Sequence, residues 1–197
     1  MKKVLLLLSN GFEAYEASVF TDVLGWNEYE GDGTTQIVTC GIHKQLKSTW
    51  GFTVIPEILV NTVDVADFHA LAIPGGFEEA GFYHDAYRDE FLSLIRQFDN
   101  AGKYIATICV GALPVGKSGA LKGRKGTTYH LNGGLRQRQL ASYGVTIVNQ
   151  PVVVDENIIT SSCPSTALEV AFVLLERLTT VENCRRVKYL MGFQASD

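Results

Sequence analysis

The chain opens on an unbroken apolar run, VLLLL at residues 4–8, which ends at Ser9, Asn10 and Gly11. A run without polar alternation suits a strand covered on both faces in a parallel sheet, so a first strand is predicted over residues 4–9. The period then changes. Val19, Val23 and Leu24 fall at helical spacing, and Glu13 and Glu16 lie three apart on one face, which predicts a helix over residues 13–24. TQIVTCG returns to strand, and ALAIPGG at residues 70–76 is a strand stopped by Pro74 and two glycines. Phe91, Leu94, Ile95 and Phe98 again recur at helical spacing, with Gly102 as the stop, and YIATIC follows as strand. VTIVN and PVVVDENIITSS predict further strands, the last two joined at residues 155–157. Thr166 and Glu169 have the spacing of a capping box, opening a helix whose buried side carries Ala167, Val170, Ala171, Leu174, Leu175 and Leu178.

Strands alternating with amphipathic helices predict an α/β architecture, an open and mainly parallel sheet with helices on both faces. Ligands in such folds bind beyond the carboxyl ends of the strands. The three turns richest in chemistry, NGFEAYE, PGGFEEAG and CVGALP, each begin where a strand is predicted to end. No repeat or low-complexity linker interrupts the series, and a length of 197 residues suits one domain spanning 1–197.

Composition narrows the partners. Hydrophobic residues at 46% and charged residues at 19% exclude a disordered chain. A net charge of -4 gives no basic footprint, so no nucleic-acid partner is expected, and Lys122, Arg124 and Lys125 read as a solvated loop. The apolar run after Lys2 and Lys3 is too short for a signal peptide, and nothing approaches the ~20 apolar residues that span a bilayer. The expectation is a cytoplasmic protein with no membrane association. Cys40, Cys109, Cys163 and Cys184 show no C-x-x-C pairing, so each is expected to be a free thiol, with no metal site and no cofactor.

ICVGALPVGKS, residues 108–118, supports two readings. From Gly111 it spells the phosphate-binding G-x-x-x-x-G-K-S. That loop needs a long helix beginning at its Lys-Ser, yet GALKGRKG follows, and each glycine costs about 1 kcal/mol relative to alanine in a helix. Pro114 also removes an N–H from a loop whose purpose is to offer N–H groups. Lys117 then reads as an exposed charge at a helix end. In the other reading Cys109 ends a strand on a sharp turn into a short helix, with Gly111 relieving the crowding. Such a turn strains the backbone, and the helix start is expected to lower the thiol pKa. The alternative for Cys109, a packed core thiol, stays open on local sequence alone.

Taken together, VLLLLSNGFEAYEAS, LAIPGG, ATICVGA, LKGRKGTTYH and VVVDENIITSSCPSTALEVA resemble the ThiJ/PfpI superfamily in order and spacing, from about residue 3 to residue 178. The resemblance implies a flavodoxin-like three-layer sandwich with class I glutamine amidotransferase kinship, assembled as a homodimer or higher homo-oligomer. It implies Cys109 as the reactive thiol and Glu16 as its acidic partner, a carboxyl kept protonated by its surroundings. Gly75 and Gly76 match the family's PGG turn, whose N–H groups face a developing oxyanion, and Val110 stands beside them in the substrate site. Glu13 reads as a first-turn charge favouring the helix dipole. Val110 occupies the position where protease-like members carry histidine. In TTYHLNGG, Tyr129 stands at the position of a histidine found in many deglycase-type relatives, with His130 one residue later. A one-residue shift in a strand reverses the side-chain direction, so either His130 or Tyr129 faces Cys109. In TSSCPST, Ser162 and Cys163 replace an arginine and a glycine, which removes an anion-holding guanidinium. His43, His69 and His84 read as structural or solvent-facing.

Three functions follow from the resemblance. The first is a cysteine-dependent hydrolase or lyase of the glyoxalase/deglycase kind, acting on small-molecule carbonyls or their protein adducts without a cofactor. The second is an intracellular peptidase or amidase, with His130 as the base. The third is a stress sensor or chaperone in which Cys109 is oxidised to a sulfinate. GWNEYEGDG and the tail after Thr180 are the expected subunit-contact surfaces.

Overall fold

Val4 to Leu8 are each no more than 2% exposed, so the first apolar run is covered on both sides. The computed structural model describes residues 1–193 and sets this run in the middle of a sheet. In chain order the elements are β1 (Lys2–Leu8), α1 (Ala14–Glu30), β2 (Thr35–Gly41), β3 (Leu46–Lys47), β4 (Thr53–Val54), β5 (Ile58–Leu59), β6 (Ala70–Ile73), α2 (Phe82–Ala86), α3 (Asp89–Asn100), β7 (Tyr104–Thr107), α4 (Ala112–Ser118), β8 (Lys125–Gly126), α5 (Leu135–Ser142), β9 (Thr146–Ile147), β10 (Val152–Asp155), β11 (Ile158–Ser161), α6 (Ala167–Leu178) and α7 (Val181–Leu190). The main sheet has the order β10-β11-β7-β6-β1-β2-β5, and every neighbouring pair is parallel except β10 with β11. One helical layer is α1, α6 and α7; α3, α4 and α5 pack in succession on the other face. This is the open, mainly parallel α/β sheet expected from the pattern, arranged as the flavodoxin-like sandwich that the resemblance implied. Residues 194–197, the end of the expected 1–197 domain and of the tail after Thr180, lie outside the described residues.

Several local expectations are corrected. Helix α1 continues past residue 24 to Glu30 because Asn27 is fully buried and donates from Nδ2 to Thr35 Oγ1 at 2.8 Å and to Asp32 Oδ1 at 3.0 Å. A polar anchor of this kind is invisible to hydrophobic periodicity, and most of GWNEYEGDG is therefore helix. The capping pair before α6 is Cys163 with Thr166, not Thr166 with Glu169, because Pro164 starts a 3₁₀ turn ahead of the helix. VTIVN contributes only the short β9, paired with β8 outside the main sheet. Arg124 is not simply solvated: its Nη1 lies 3.0 Å from Asp99 Oδ1 and donates to Asn157 Oδ1 at 2.9 Å.

Lys117 and Ser118 occupy the last turn of α4, which ends at Gly119 with φ 95°. A phosphate loop needs its helix to begin at these residues, so that reading fails. Lys117 is exposed, with Nζ 4.5 Å from the centre of the Tyr87 ring. Pro114 falls in the first turn of α4, where a helix needs no N–H from it.

Candidate active site

The site forms where β1, β6 and β7 end on the same side of the sheet. The loops after β1 and β6 are laced together: Glu13 N–H donates to Gly75 O at 2.8 Å, and Phe77 N–H donates to Gly11 O at 3.1 Å. Only glycine fits at residue 76, because a Cβ there would lie 2.2 Å from Gly11 O and 2.4 Å from Phe82 Cδ2. Cys109 follows β7 with φ 54°, a left-handed conformation that costs a non-glycine residue roughly 1–2 kcal/mol. The surroundings hold it there. Ile108 N–H donates to Ile73 O at 3.2 Å, and Thr128 Oγ1 donates to the Cys109 carbonyl at 2.8 Å. A 3₁₀ turn, Cys109–Gly111, then leads into α4, and a side chain at Gly111 would meet Ile73 O at 2.7 Å. The sharp turn expected at Cys109 is thus present.

Glu16, in the first turn of α1, is completely buried. Its Oε2 accepts the Gly75 N–H at 2.5 Å, while Oε1 has no hydrogen-bond partner among the described residues. Burial, then the nearby Glu13 charge, pushes its pKa up to about 8; the Gly75 N–H and the neighbouring Cys109 thiol act the other way. Gly75 therefore departs from its expected role, since its single amide proton is committed to Glu16. The Gly76 N–H has no protein acceptor among the described residues, and the Val110 N–H points to the Cys109 sulfur. These two amides are the candidate oxyanion donors.

Burial, then the Glu16 charge, pushes the Cys109 thiol well above its ordinary value, with the Val110 N–H opposing them. This reverses the expectation of a lowered thiol pKa, because desolvation outweighs the amide at the turn. Cys109 and Glu16 titrate as a coupled pair. Glu13 also differs from expectation: it is the N-terminal cap residue of α1, half-buried against the cavity, and burial raises its pKa.

Cys109 opens into a cavity of about 480 Å³ shared by Glu13, Tyr83, Tyr129, Arg136 and Cys163. Tyr129 is the member of the TTYH segment that lines it. His130 is exposed instead and lines a neighbouring cavity with Thr127, Gln137 and Ser162; its Nδ1 lies 3.4 Å from the Cys163 sulfur. Ser162 carries no cation, as expected, but a guanidinium reaches the Cys109 cavity from elsewhere. Arg136, on α5, donates to Glu78 Oε2 at 2.7 Å and lies 5.1 Å from the Tyr83 ring centre. No motif around Arg136 signalled this placement. The Tyr83 hydroxyl, also missed, is buried without a partner among the described residues, and burial raises its pKa. Among the described residues no group of three or more histidine, cysteine or acidic side chains gathers in metal-binding geometry. No helix among them is long and apolar enough to cross a membrane.

Residues 2–177 match the DJ-1/PfpI family. Protein DJ-1 homolog B of Arabidopsis thaliana is 28% identical over 189 residues, a match covering 94% of this chain and 40% of the plant protein. The chain likewise spans 46% of Arabidopsis homolog A, so it accounts for less than half of either relative. The deglycase PfpI of Pyrococcus furiosus is 28% identical over 162 residues, covering 82% of this chain and 90% of that protein. The crystal structure of Drosophila melanogaster DJ-1beta superposes with a TM-score of 0.85 at 24% identity, covering 98% of this chain and 99% of that one, and shares the fold.

Proposed function

The chain belongs to the DJ-1/PfpI family, and from that premise we propose that it is a cysteine-dependent enzyme acting on small reactive carbonyls or their protein adducts. The observation that carries this reading is Cys109, held in a left-handed backbone conformation beside a buried Glu16 and open to a cavity. Relatives named as deglycases support the same class. A carboxyl titrating near 8 exchanges protons readily at neutral pH, the property a general acid–base group requires. In its ionised form Glu16 takes the thiol proton as the Cys109 sulfur bonds to an aldehyde carbon. The carbonyl oxygen becomes an alkoxide beside the Gly76 and Val110 N–H groups and the Tyr83 hydroxyl. Glu16 returns the proton to that oxygen, which gives a neutral hemithioacetal and frees the carboxylate for the next step.

For a 2-oxoaldehyde, Glu16 moves the proton of the former aldehyde carbon to the neighbouring ketone carbon, while the hydroxyl proton passes from the first oxygen to the second. One carbon is oxidised and the other reduced, leaving a thioester of a 2-hydroxy acid that water hydrolyses to free the thiol. No external oxidant or cofactor enters the balance. Arg136 suits the carboxylate that hydrolysis releases. The peptidase reading has less support, because His130 faces Cys163 and not Cys109. Methylglyoxal consumption by the purified chain tests the proposal. Cys109→Ala is expected to abolish turnover, and an unchanged rate in that variant refutes it. A homo-oligomer is also part of this reading, supported by Trp50, Phe52 and Ile55, which stand 68%, 68% and 77% exposed on and beside the β3–β4 hairpin. Light scattering in solution tests that part.

A further inference from the structure

Cys163 is the one cysteine besides Cys109 that touches the candidate site. Both line the same cavity. The other two cysteines are out of reach of solvent: Cys40 is 0% exposed and Cys184 is 2% exposed, its sulfur directed at Phe172 O at 3.3 Å. Cys163 is half-buried and caps the turn before α6, its backbone extended and tied to Thr166. His130 Nδ1 lies 3.4 Å from its sulfur, within hydrogen-bond reach, and His130 opens to solvent. The imidazole that the resemblance directed at Cys109 thus serves a second thiol at the edge of the same cavity.

We propose that Cys163 is a resolving thiol, closing a disulfide with Cys109 when hydrogen peroxide oxidises the latter. In the first step the Cys109 sulfur attacks one peroxide oxygen. The O–O bond breaks, an S–O bond forms, sulfur loses two electrons, and the thiol proton leaves with the distal oxygen as water. In the second step the Cys163 sulfur attacks the resulting sulfenic acid while His130 takes its proton. An S–S bond replaces the S–O bond, and hydroxide leaves and is protonated to water. Two thiols and one peroxide give one disulfide and two waters. Capture at the sulfenic stage competes with further oxidation to the irreversible sulfinic acid, so Cys163 protects Cys109 and makes its oxidation reversible. The proposal uses the reactivity of Cys109 but not its action on carbonyls.

The experiment treats the reduced full chain with a small molar excess of hydrogen peroxide, enough for the two oxidations that a sulfinic acid needs, blocks the remaining thiols with N-ethylmaleimide, and maps peptides without reduction. The expected product is a single chain that has lost two hydrogens, with its own Cys109 and Cys163 peptides linked and dithiothreitol restoring both thiols. Cys163→Ser is expected to divert Cys109 to a species that has gained two oxygens. His130→Ala is expected to prolong the lifetime of the sulfenic acid, read by dimedone trapping. Accumulation of sulfinic acid on Cys109 in the wild-type chain, with Cys163 still open to maleimide, overturns the proposal, as does a disulfide joining two chains. If Cys109 consumes no peroxide but still turns over methylglyoxal, the resolving role alone falls. If it does neither, the proposed function falls with it.

Discussion

Glu16→Gln isolates the energetic consequence of burying a carboxyl at the centre of the site. The folded chain raises the Glu16 pKa from 4.5 to about 8, while an unfolded chain exposes it to water. At low pH both states hold the proton and the native state is at its full stability with respect to this group. As pH rises through the window between these values, the unfolded chain releases its proton first, and the native state becomes progressively less stable. Above the folded pKa the native state carries a buried carboxylate. A shift of this size corresponds to a loss on the order of 5 kcal/mol across the window. Glutamine does not titrate, can accept the Gly75 N–H on its oxygen, and presents its NH₂ towards Cys109 in place of the acid O–H. Urea unfolding followed by tryptophan fluorescence, from about pH 4 to about pH 9, is therefore expected to show a declining difference between wild type and variant, with the variant gaining relative stability as pH rises. Parallel curves for the two proteins across the whole range refute the raised pKa and, with it, the role of Glu16 as a proton carrier at neutral pH.

The same variant separates thiol reactivity from turnover: removing the Glu16 charge takes away one cause of the raised Cys109 pKa, so the iodoacetamide rate profile of Cys109 should move to lower pH while methylglyoxal turnover is lost. A shift to higher pH indicates instead that Glu16 serves chiefly as a donor to the thiolate. At the turn itself, Cys109→Gly should be more stable than Cys109→Ala by about 1 kcal/mol in urea unfolding, because φ 54° favours glycine; the reverse order contradicts a strained turn. Gly76→Ala places a Cβ 2.2 Å from Gly11 O and forces the two laced loops apart, with an expected loss of roughly 1–3 kcal/mol. An unchanged melting temperature for that variant removes the close approach from the account of the site.

The apolar run of β1, the strand ends at Pro74 and Cys109, and the helical stripe of α6 were legible because each reflects local spacing within one element. The parallel architecture followed from their order, and the resemblance singled out Cys109 and Glu16 before either had a neighbour. Other features depend on groups remote in the chain. Gly75 N–H is committed to a carboxyl 59 residues away, and Arg136 reaches Glu78 across 58 residues. The choice between Tyr129 and His130 turns on which side of an extended segment faces the cavity, and the pattern of residues 127–130 has no periodicity to settle it. The direction of the Cys109 pKa is the clearest case. A sharp turn at a helix start argues for a lowered value, but the charge of a thiolate responds to everything packed around it. Only the tertiary structure brings together β7, α1 and the loop after β6, leaves the cysteine just 7% exposed, and sets a buried acid beside it.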